Sequence, residues 1–141
     1  MAYAIEKVEV WSGMIDDAPG GLAAKLAPLA EAGVALSFML ARRSTPGKGV
    51  VFLAPIKGAA ATQAAKGAGL GPANDLSALC VSGPDKAGLG ALVAGVLAQA
   101  GINMRGISAM AVGRKAIMCI AFDDKPTAAK AQRILAKALN K

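Results

Sequence analysis

Two short segments of the chain combine residue types that bind charged small molecules. They are Asp17–Ala18–Pro19–Gly20 and Asp85–Lys86–Ala87–Gly88, and each stands between a short apolar run and a helical pattern. A helix N-terminus offers backbone N–H groups without intrahelical partners and a positive dipole, which favour a ligand carboxylate, and Gly88 lets a ligand approach the backbone. The Asp85 carboxylate is either a cap on those N–H groups or a partner for a ligand's ammonium group. Lys86 is either an exposed charge or a residue that steers an anionic ligand.

One offset of 68 residues relates these two segments and several residues that follow them. The pairs are Asp17 and Asp85, Leu29 and Leu97, Gly33 and Gly101, and Val34 and Ile102. A shared offset through a loop, a helix and the next strand indicates an internal duplication. We therefore predict two repeats, 1–72 and 73–141. Repeats of this size lie near the lower limit for independent stability, so we expect them to share a core or a partner.

Residue types for catalysis or metal binding are few. The chain has no His, which removes the usual base for a Cys or Ser nucleophile and the commonest metal ligand. It has no Gly-rich phosphate loop and no nucleophile elbow. Asp16–Asp17 and Asp123–Asp124 are acidic pairs typical of turns and helix starts, and Cys80 and Cys119 stand in apolar runs, as small buried residues do. We therefore predict a protein that is not an enzyme and that uses no metal and no cofactor.

Composition and charge narrow the class of protein further. The 141 residues are 55% hydrophobic and 18% charged, which is typical of an ordered globular chain. No apolar run approaches the roughly 18 residues of a membrane span, and no secretory signal opens the chain, so we predict a cytoplasmic protein without membrane contact. The net charge of +7 is dispersed, and the aromatic residues do not alternate with the basic ones, so nucleic-acid binding is not favoured.

Hydrophobic periodicity predicts the elements that position the two segments. Each repeat has the order β-α-β-β-α, with strands predicted at 5–12, 34–42, 50–54, 76–82, 102–111 and 116–122. With a closing strand this is the ferredoxin-like βαββαβ arrangement, an α+β fold with a four-stranded antiparallel sheet and both helices on one face. Residues 70–75 could close the first sheet. The second repeat has no residues left after Lys141, so the N-terminal segment or another molecule would have to complete its sheet.

A strand, then Asp-x-Pro-Gly, then a helix that ends in Gly-Ile-Asn resembles the motif of an ACT domain. Both halves carry it, as Asp17–Gly20 with Gly33–Leu36 and as Asp85–Gly88 with Gly101–Met104. The chain therefore resembles a tandem ACT-domain protein, either a free-standing regulatory protein or the regulatory part of an aspartate kinase. This resemblance implies that a small metabolite, usually an amino acid, binds at an interface between two ACT units. The turn after the first strand of one unit would face the second strand of the next.

The resemblance also identifies the site residues. The predicted ligand-binding residues are Asp17, Ala18, Pro19, Gly20, Asp85, Lys86, Ala87, Gly88, Asn103 and Arg105. Asn103 holds the strand position that the family usually gives to Asn, whereas the first repeat has Ala35 there, and Ala87 replaces the expected proline. Period-two alternation places Asn103 and Arg105 together on the face away from the helices. Asn103 could pair with either turn, and the other interpretation of it is a solvated residue on an edge strand.

The leading function hypothesis is a regulatory protein that senses an amino acid and forms a homodimer through its edge strands. The alternative is a structural or protein-interaction module that has lost its ligand, which Ala35 and Ala87 favour. RNA binding on a ferredoxin-like sheet is a third hypothesis, and only the net charge of +7 favours it.

Overall fold

The chain forms two units, each built on a separate sheet. The computed structural model describes residues 3–141, which divide into one unit of residues 9–73 and another of residues 3–8 with 74–141. Each unit is a four-stranded antiparallel sheet with two helices, so the predicted α+β fold with two ferredoxin-like repeats is confirmed. The units differ from the predicted repeats 1–72 and 73–141 in two respects, because residues 3–8 belong to the C-terminal unit and residue 73 belongs to the N-terminal unit.

The segment that was predicted as one strand at 5–12 is two strands in different sheets. They are β1 (Ala4–Val8) and β2 (Trp11–Asp16). Val10 and Trp11 are adjacent and are both buried, which a single strand with one buried face does not permit. The prediction of one strand was therefore wrong, and the chain passes from one unit to the other between Val8 and Trp11.

The N-terminal unit is a complete βαββαβ fold in itself. It begins with β2, and its sheet has the order β3-β4-β2-β5, in which every neighbouring pair is antiparallel. The short strand β5 closes the sheet, which confirms the prediction for residues 70–75. The other elements are α1 (Gly21–Glu31), β3 (Phe38–Arg43), β4 (Lys48–Ala54), α2 (Ala59–Gly67) and β5 (Gly71–Pro72).

The C-terminal unit has the same fold, but the N-terminal strand β1 closes its sheet. The sheet has the order β1-β6-β8-β7, and β1 pairs antiparallel with β6 from Ala4 opposite Ser82 to Val8 opposite Ala78. Of the two ways of completing this sheet, the N-terminal segment is the one observed. The other elements are β6 (Ser77–Pro84), α3 (Leu89–Gln99), β7 (Gly106–Val112), β8 (Lys115–Phe122) and α4 (Lys125–Leu139).

Each unit has its own apolar core between its helices and one face of its sheet. Alternate residues of the central strands β4 and β8 are buried, as expected of strands with a single covered face. In the N-terminal unit Leu29 and Ala65 come from the helices to this core, and in the C-terminal unit Val93 and Leu135 do so. No helix within residues 3–141 is long and apolar enough to cross a membrane.

The two cysteines lie opposite one another on the central strands of the C-terminal sheet. Cys80 on β6 pairs with Cys119 on β8, the Cα–Cα distance is 4.3 Å, and a disulfide joins the two sulfurs. Both side chains are half-buried, and they lie on the face away from the helices because their neighbours Leu79 and Ile120 are core residues. The expectation of two buried small residues was therefore wrong, since alternation along each strand turns them to the face away from the helices.

Candidate ligand-binding site

The first predicted segment is a type II turn that leads directly into helix α1. Gly20 has φ 87° and ψ −7°, and the Gly21 amide donates a hydrogen bond of 3.0 Å to the Ala18 carbonyl. These are the dihedrals and the bond of a type II turn with Pro19 at its second and Gly20 at its third position. Glycine is required at the third position because φ is positive there, and proline favours the second because its φ is already fixed. The Asp-x-Pro-Gly motif is thus explained by backbone geometry.

The second segment forms the same turn without the proline. Gly88 has φ 86° and ψ 0°, and the Leu89 amide donates to the Lys86 carbonyl at 3.3 Å. Gly88 is the N-cap of α3, and no side chain accepts a hydrogen bond there. The interpretation of Asp85 as a helix cap was therefore wrong, because the type II turn places that residue three positions before the cap.

Each turn is tied to the β-hairpin of its own unit. The Asp17 amide donates to the Gly47 carbonyl at 3.1 Å, and the Asp85 amide donates to the Arg114 carbonyl at 2.8 Å. Gly47 lies in the loop between β3 and β4, and Arg114 lies between β7 and β8. The bond therefore holds the start of each turn beside the end of the edge strand, which places that strand's last residues next to the turn.

In the N-terminal unit the turn and the edge strand enclose a surface cleft of about 410 Å³, which we call the N-terminal cleft. It is lined by residues 15–19, 41–43, Leu22 and Gly49. This volume lies within the range of small-molecule sites. Of the predicted ligand-binding residues, Asp17, Ala18 and Pro19 line it, and Gly20 follows them as the N-cap of α1.

Two ion pairs set the electrostatics of the N-terminal cleft. Arg43 Nε lies 2.9 Å from Asp17 Oδ2, and Lys48 Nζ donates a hydrogen bond of 2.8 Å to Asp16 Oδ1. The hydrogen bond and the charge of Lys48 lower the pKa of Asp16 below its ordinary value of 3.8. The Asp16 carboxylate is therefore ionised at neutral pH, and each of the two carboxylates of the cleft already has a cation beside it.

Sequence reasoning missed the basic residues of this cleft. Arg42 and Arg43 were not distinguished from the other charges that make up the dispersed net charge of +7. The turn lies 26 residues earlier, as Asp17 precedes Arg43, and only the hairpin brings the two together. The available signal was the predicted fold, which places the end of the second strand next to the turn after the first. The equivalent residues of the C-terminal unit are Met110 and Ala111, so the duplication has not kept these cations.

The remaining predicted residues lie in the C-terminal unit and are exposed. Asp85, Lys86, Ala87 and Gly88 form the exposed second turn. Asn103 is also exposed, but it precedes the strand on which it was predicted, because β7 begins at Gly106. Ile102 is buried and Met104 packs against the core, so the predicted alternation of these residues is confirmed.

Arg105 is held by neighbours within its own unit. Its Nη2 lies 2.9 Å from Asp75 Oδ2, its Nη1 donates to the Asp75 carbonyl at 2.5 Å, and Nη1 lies 3.9 Å from Asp123 Oδ1. These contacts join the residue before β7 to the segment that precedes β6 and to the residue that follows β8. The pairing of Asn103 with either turn stays a prediction, as does ligand contact by Arg105.

Comparison with known proteins identifies the fold. No family model matches the sequence, and no curated protein is detectably similar to it. Among solved structures, protein BT0572 from Bacteroides thetaiotaomicron aligns with a TM-score of 0.78 at 18% identity, over 94% of this chain and 89% of that one. The ligand-free regulatory subunit of aspartate kinase from Thermus thermophilus aligns with a TM-score of 0.68 at 18% identity, over 98% and 97% of the two chains.

A complete kinase contains the same arrangement. E. coli aspartokinase III in complex with lysine and aspartate aligns with a TM-score of 0.56 at 16% identity, over 98% of this chain and 33% of that one. At these identities the likeness extends to the fold alone. The chain therefore has the tandem ACT-like fold of aspartate kinase regulatory subunits.

Proposed function

We propose that this protein is a regulatory protein, without catalytic activity, that binds a small metabolite at its ACT-like units. The observation that carries the proposal is the N-terminal cleft, where a type II turn meets the ion pair of Asp17 and Arg43. The fold adds support, because solved structures with it include a kinase regulatory subunit and an aspartokinase that was crystallised with lysine and aspartate. An amino acid is therefore the first ligand class to test.

The proposed ligand contacts are unequal between the two units. The turn at 17–20 has a cleft and a cation beside it, so it is the better candidate for a ligand carboxylate. Asn103 of a facing unit would contact the polar groups of the ligand, and its exposed side chain is available for that. Arg105 is a weaker candidate, since ligand contact would have to break its interactions with Asp75.

Thermal shift with each of the twenty amino acids tests this proposal. A ligand that binds only the folded protein stabilises it by mass action, by about 2.7 kcal/mol at a hundred times its Kd. We expect one amino acid, or a chemically related group, to raise the melting temperature. The variants Arg43→Ala and Asn103→Ala should remove the shift, whereas Asn74→Ala changes another exposed asparagine and should not. If no amino acid raises the melting temperature, the proposal in this form is rejected.

The alternative, a protein-interaction module that has lost its ligand, is supported by edge strand β7. Its sequence GISAMAV carries no charge, and Ile107, Met110 and Val112 are 46%, 64% and 63% exposed. An uncharged edge strand is a template for pairing with another strand, and a second copy of the chain is the simplest partner. We therefore also propose a homodimer through this edge.

Light scattering at several protein concentrations measures the assembly. Met110→Lys should produce a monomer by placing a charge on the edge, and Lys115→Ala, beyond the end of β7, should leave assembly unchanged. The interaction module would be favoured if Met110→Lys abolished assembly while Asn103→Ala left the ligand-induced thermal shift unchanged. A monomeric wild-type protein would exclude the homodimer.

A further inference from the structure

We propose that the N-terminal cleft binds a carboxylate attached to an apolar group and makes no specific contact with an ammonium group. Its ligand class would then be small organic acids with an apolar chain, and an amino acid would bind only through the features that it shares with them. This inference rests on the proposed function, because it concerns the same cleft. It goes further by naming which groups of the ligand are recognised and which residue does so.

The carboxylates of the cleft are already occupied by the protein's own cations. Asp17 lies 2.9 Å from Arg43, and Asp16 accepts a hydrogen bond of 2.8 Å from Lys48. An ammonium group is normally recognised by an ionised carboxylate or by several carbonyl oxygens. Since both carboxylates that line the cleft are paired, an incoming ammonium would have to share a carboxylate with Arg43 or Lys48, and the neighbouring cation would make that contact weaker than one with an unpaired carboxylate.

Arg43 is oriented so that a ligand carboxylate has donors available to it. The contact with Asp17 is made by Nε, and the two terminal nitrogens of the guanidinium carry four further N–H groups. A planar guanidinium binds a carboxylate through two parallel hydrogen bonds, which a lysine ammonium cannot reproduce. The Arg43 side chain is 85% exposed, so a dissolved anion reaches it without any rearrangement of the fold. Asp17 then acts as a positioning residue, since it holds the guanidinium over the cleft.

The rest of the cleft wall suits an apolar group. Ile15 and Leu22 line it and pack against the core of the unit, and Ala18, Pro19 and Ala41 complete the wall. These side chains bring no hydrogen-bonding groups of their own. A ligand body in contact with them is therefore stabilised by removal of apolar surface from water.

The C-terminal unit gives a natural comparison within the same chain. Met110 and Ala111 stand at the positions of Arg42 and Arg43, so the second turn has no guanidinium from its edge strand. Recognition of a carboxylate by an edge-strand arginine is thus particular to the N-terminal unit.

A matched set of probes tests the inference by isothermal titration calorimetry. The set consists of leucine and phenylalanine, of 4-methylpentanoate and 3-phenylpropanoate, which lack the ammonium, and of 3-methylbutylamine and 2-phenylethylamine, which lack the carboxylate. We expect an acid to bind with a Kd within about threefold of its amino acid, and the amines to bind at least about tenfold more weakly.

The outcomes separate this inference from the proposed function. If an amino acid binds and its deaminated acid binds more than about tenfold more weakly, the inference is wrong and the proposed function stands. The same conclusion follows if the only amino acids that bind have charged or polar side chains. If an acid binds and none of the twenty amino acids does, the inference stands and the amino-acid proposal fails. If none of these compounds binds, both are rejected.

Substitutions of Arg43 test whether this residue binds the acid. Arg43→Gln should lower the affinity for the acid at least about tenfold, and Arg43→Lys should not restore it, because a lysine makes no bidentate contact. Arg133→Gln is the matched control, since it also removes an exposed arginine, lies on α4 and does not line the cleft, and it should change the affinity by less than about twofold. Unchanged melting temperatures would show that the variants fold. Equal losses in Arg43→Gln and Arg133→Gln would mean that general charge attraction, and not Arg43, binds the acid.

Discussion

The replacement of Tyr3 by alanine should destabilise the C-terminal unit strongly, although Tyr3 is separated in sequence from residues 74–141, which form most of that unit. Tyr3 is 7% exposed and belongs to the core of the C-terminal unit. Its hydroxyl donates to the Pro84 carbonyl at 2.7 Å, and its backbone exchanges two hydrogen bonds with the Asn140 side chain. The ring lies over Gly83, where an added Cβ would come within 2.4 Å of it.

These contacts set the expected magnitude. Truncating a buried aromatic residue to alanine costs about 3–5 kcal/mol, from lost burial and the cavity that remains. Tyr3→Phe keeps the ring and removes one hydrogen bond, which leaves the Pro84 carbonyl unpaired and should cost about 1 kcal/mol. For a chain of this size, Tyr3→Ala should lower the melting temperature by roughly 10–20 °C.

Urea titrations followed by far-ultraviolet circular dichroism measure the free energy of unfolding of each variant. Glu6→Ala is the control, because Glu6 is an exposed residue of β1, three positions after Tyr3, and its removal should change stability by less than about 0.5 kcal/mol. A cost for Tyr3→Ala that is no larger than the cost for Glu6→Ala would refute the assignment of β1 to the C-terminal sheet.

Three further predictions concern a turn, a helix cap and the disulfide. Ala87→Pro should stabilise the protein by about 0.4–1 kcal/mol, because proline already has the φ that this turn position needs; a lower melting temperature would contradict the type II assignment. Asp124 accepts a hydrogen bond from the Thr127 amide at the start of α4, and this bond lowers the pKa of Asp124 below its ordinary value of 3.8. The stabilisation by ionised Asp124 is therefore present above pH 3.8 and is lost as the pH falls through the lower pKa of the folded state. Asp124→Ala should accordingly lower the free energy of unfolding most near neutral pH and less in strong acid. Urea titrations at several pH values measure this, and a difference from wild type that does not change with pH would show that the cap is not charged. Reduction of the disulfide between Cys80 and Cys119, which are 39 residues apart, should lower the free energy of unfolding by about 4 kcal/mol from loop-closure entropy, and an unchanged urea midpoint with dithiothreitol would contradict it.

Much of the fold was predictable because it is specified by local signals that occur twice. The glycines at 20 and 88 require positive φ, and the apolar stripes that follow them require helices. The strand boundaries were less predictable, since Asn103 was expected on a strand that begins only at Gly106. Residues 102–105 lie outside any strand, although the Arg105 amide donates a hydrogen bond to the Ala121 carbonyl of β8. Hydrophobic alternation does not distinguish such a segment from a strand.

Only half of the candidate site was predictable from the sequence. The turn at Asp17–Gly20 was identified by its motif, and three of its four residues line the cleft that the structure contains. Its partner Arg43 was not identified, because an ion pair between residues 26 positions apart depends on the register of a hairpin and on the connection between sheet and helix.

The sequence by itself determined the duplication, the two glycine-containing turns, the β-α-β-β-α order within each repeat and the absence of histidine. Each of these follows from residue types at short range or from one constant offset along the chain. Tertiary structure alone decided that the first strand closes the second sheet, that Cys80 lies opposite Cys119, and that Arg43 lies beside Asp17. The physical reason is the same in all three cases. Strand pairing joins residues that are far apart in the chain through backbone groups that every residue carries, so the side chains do not specify the partner until the whole sheet is assembled.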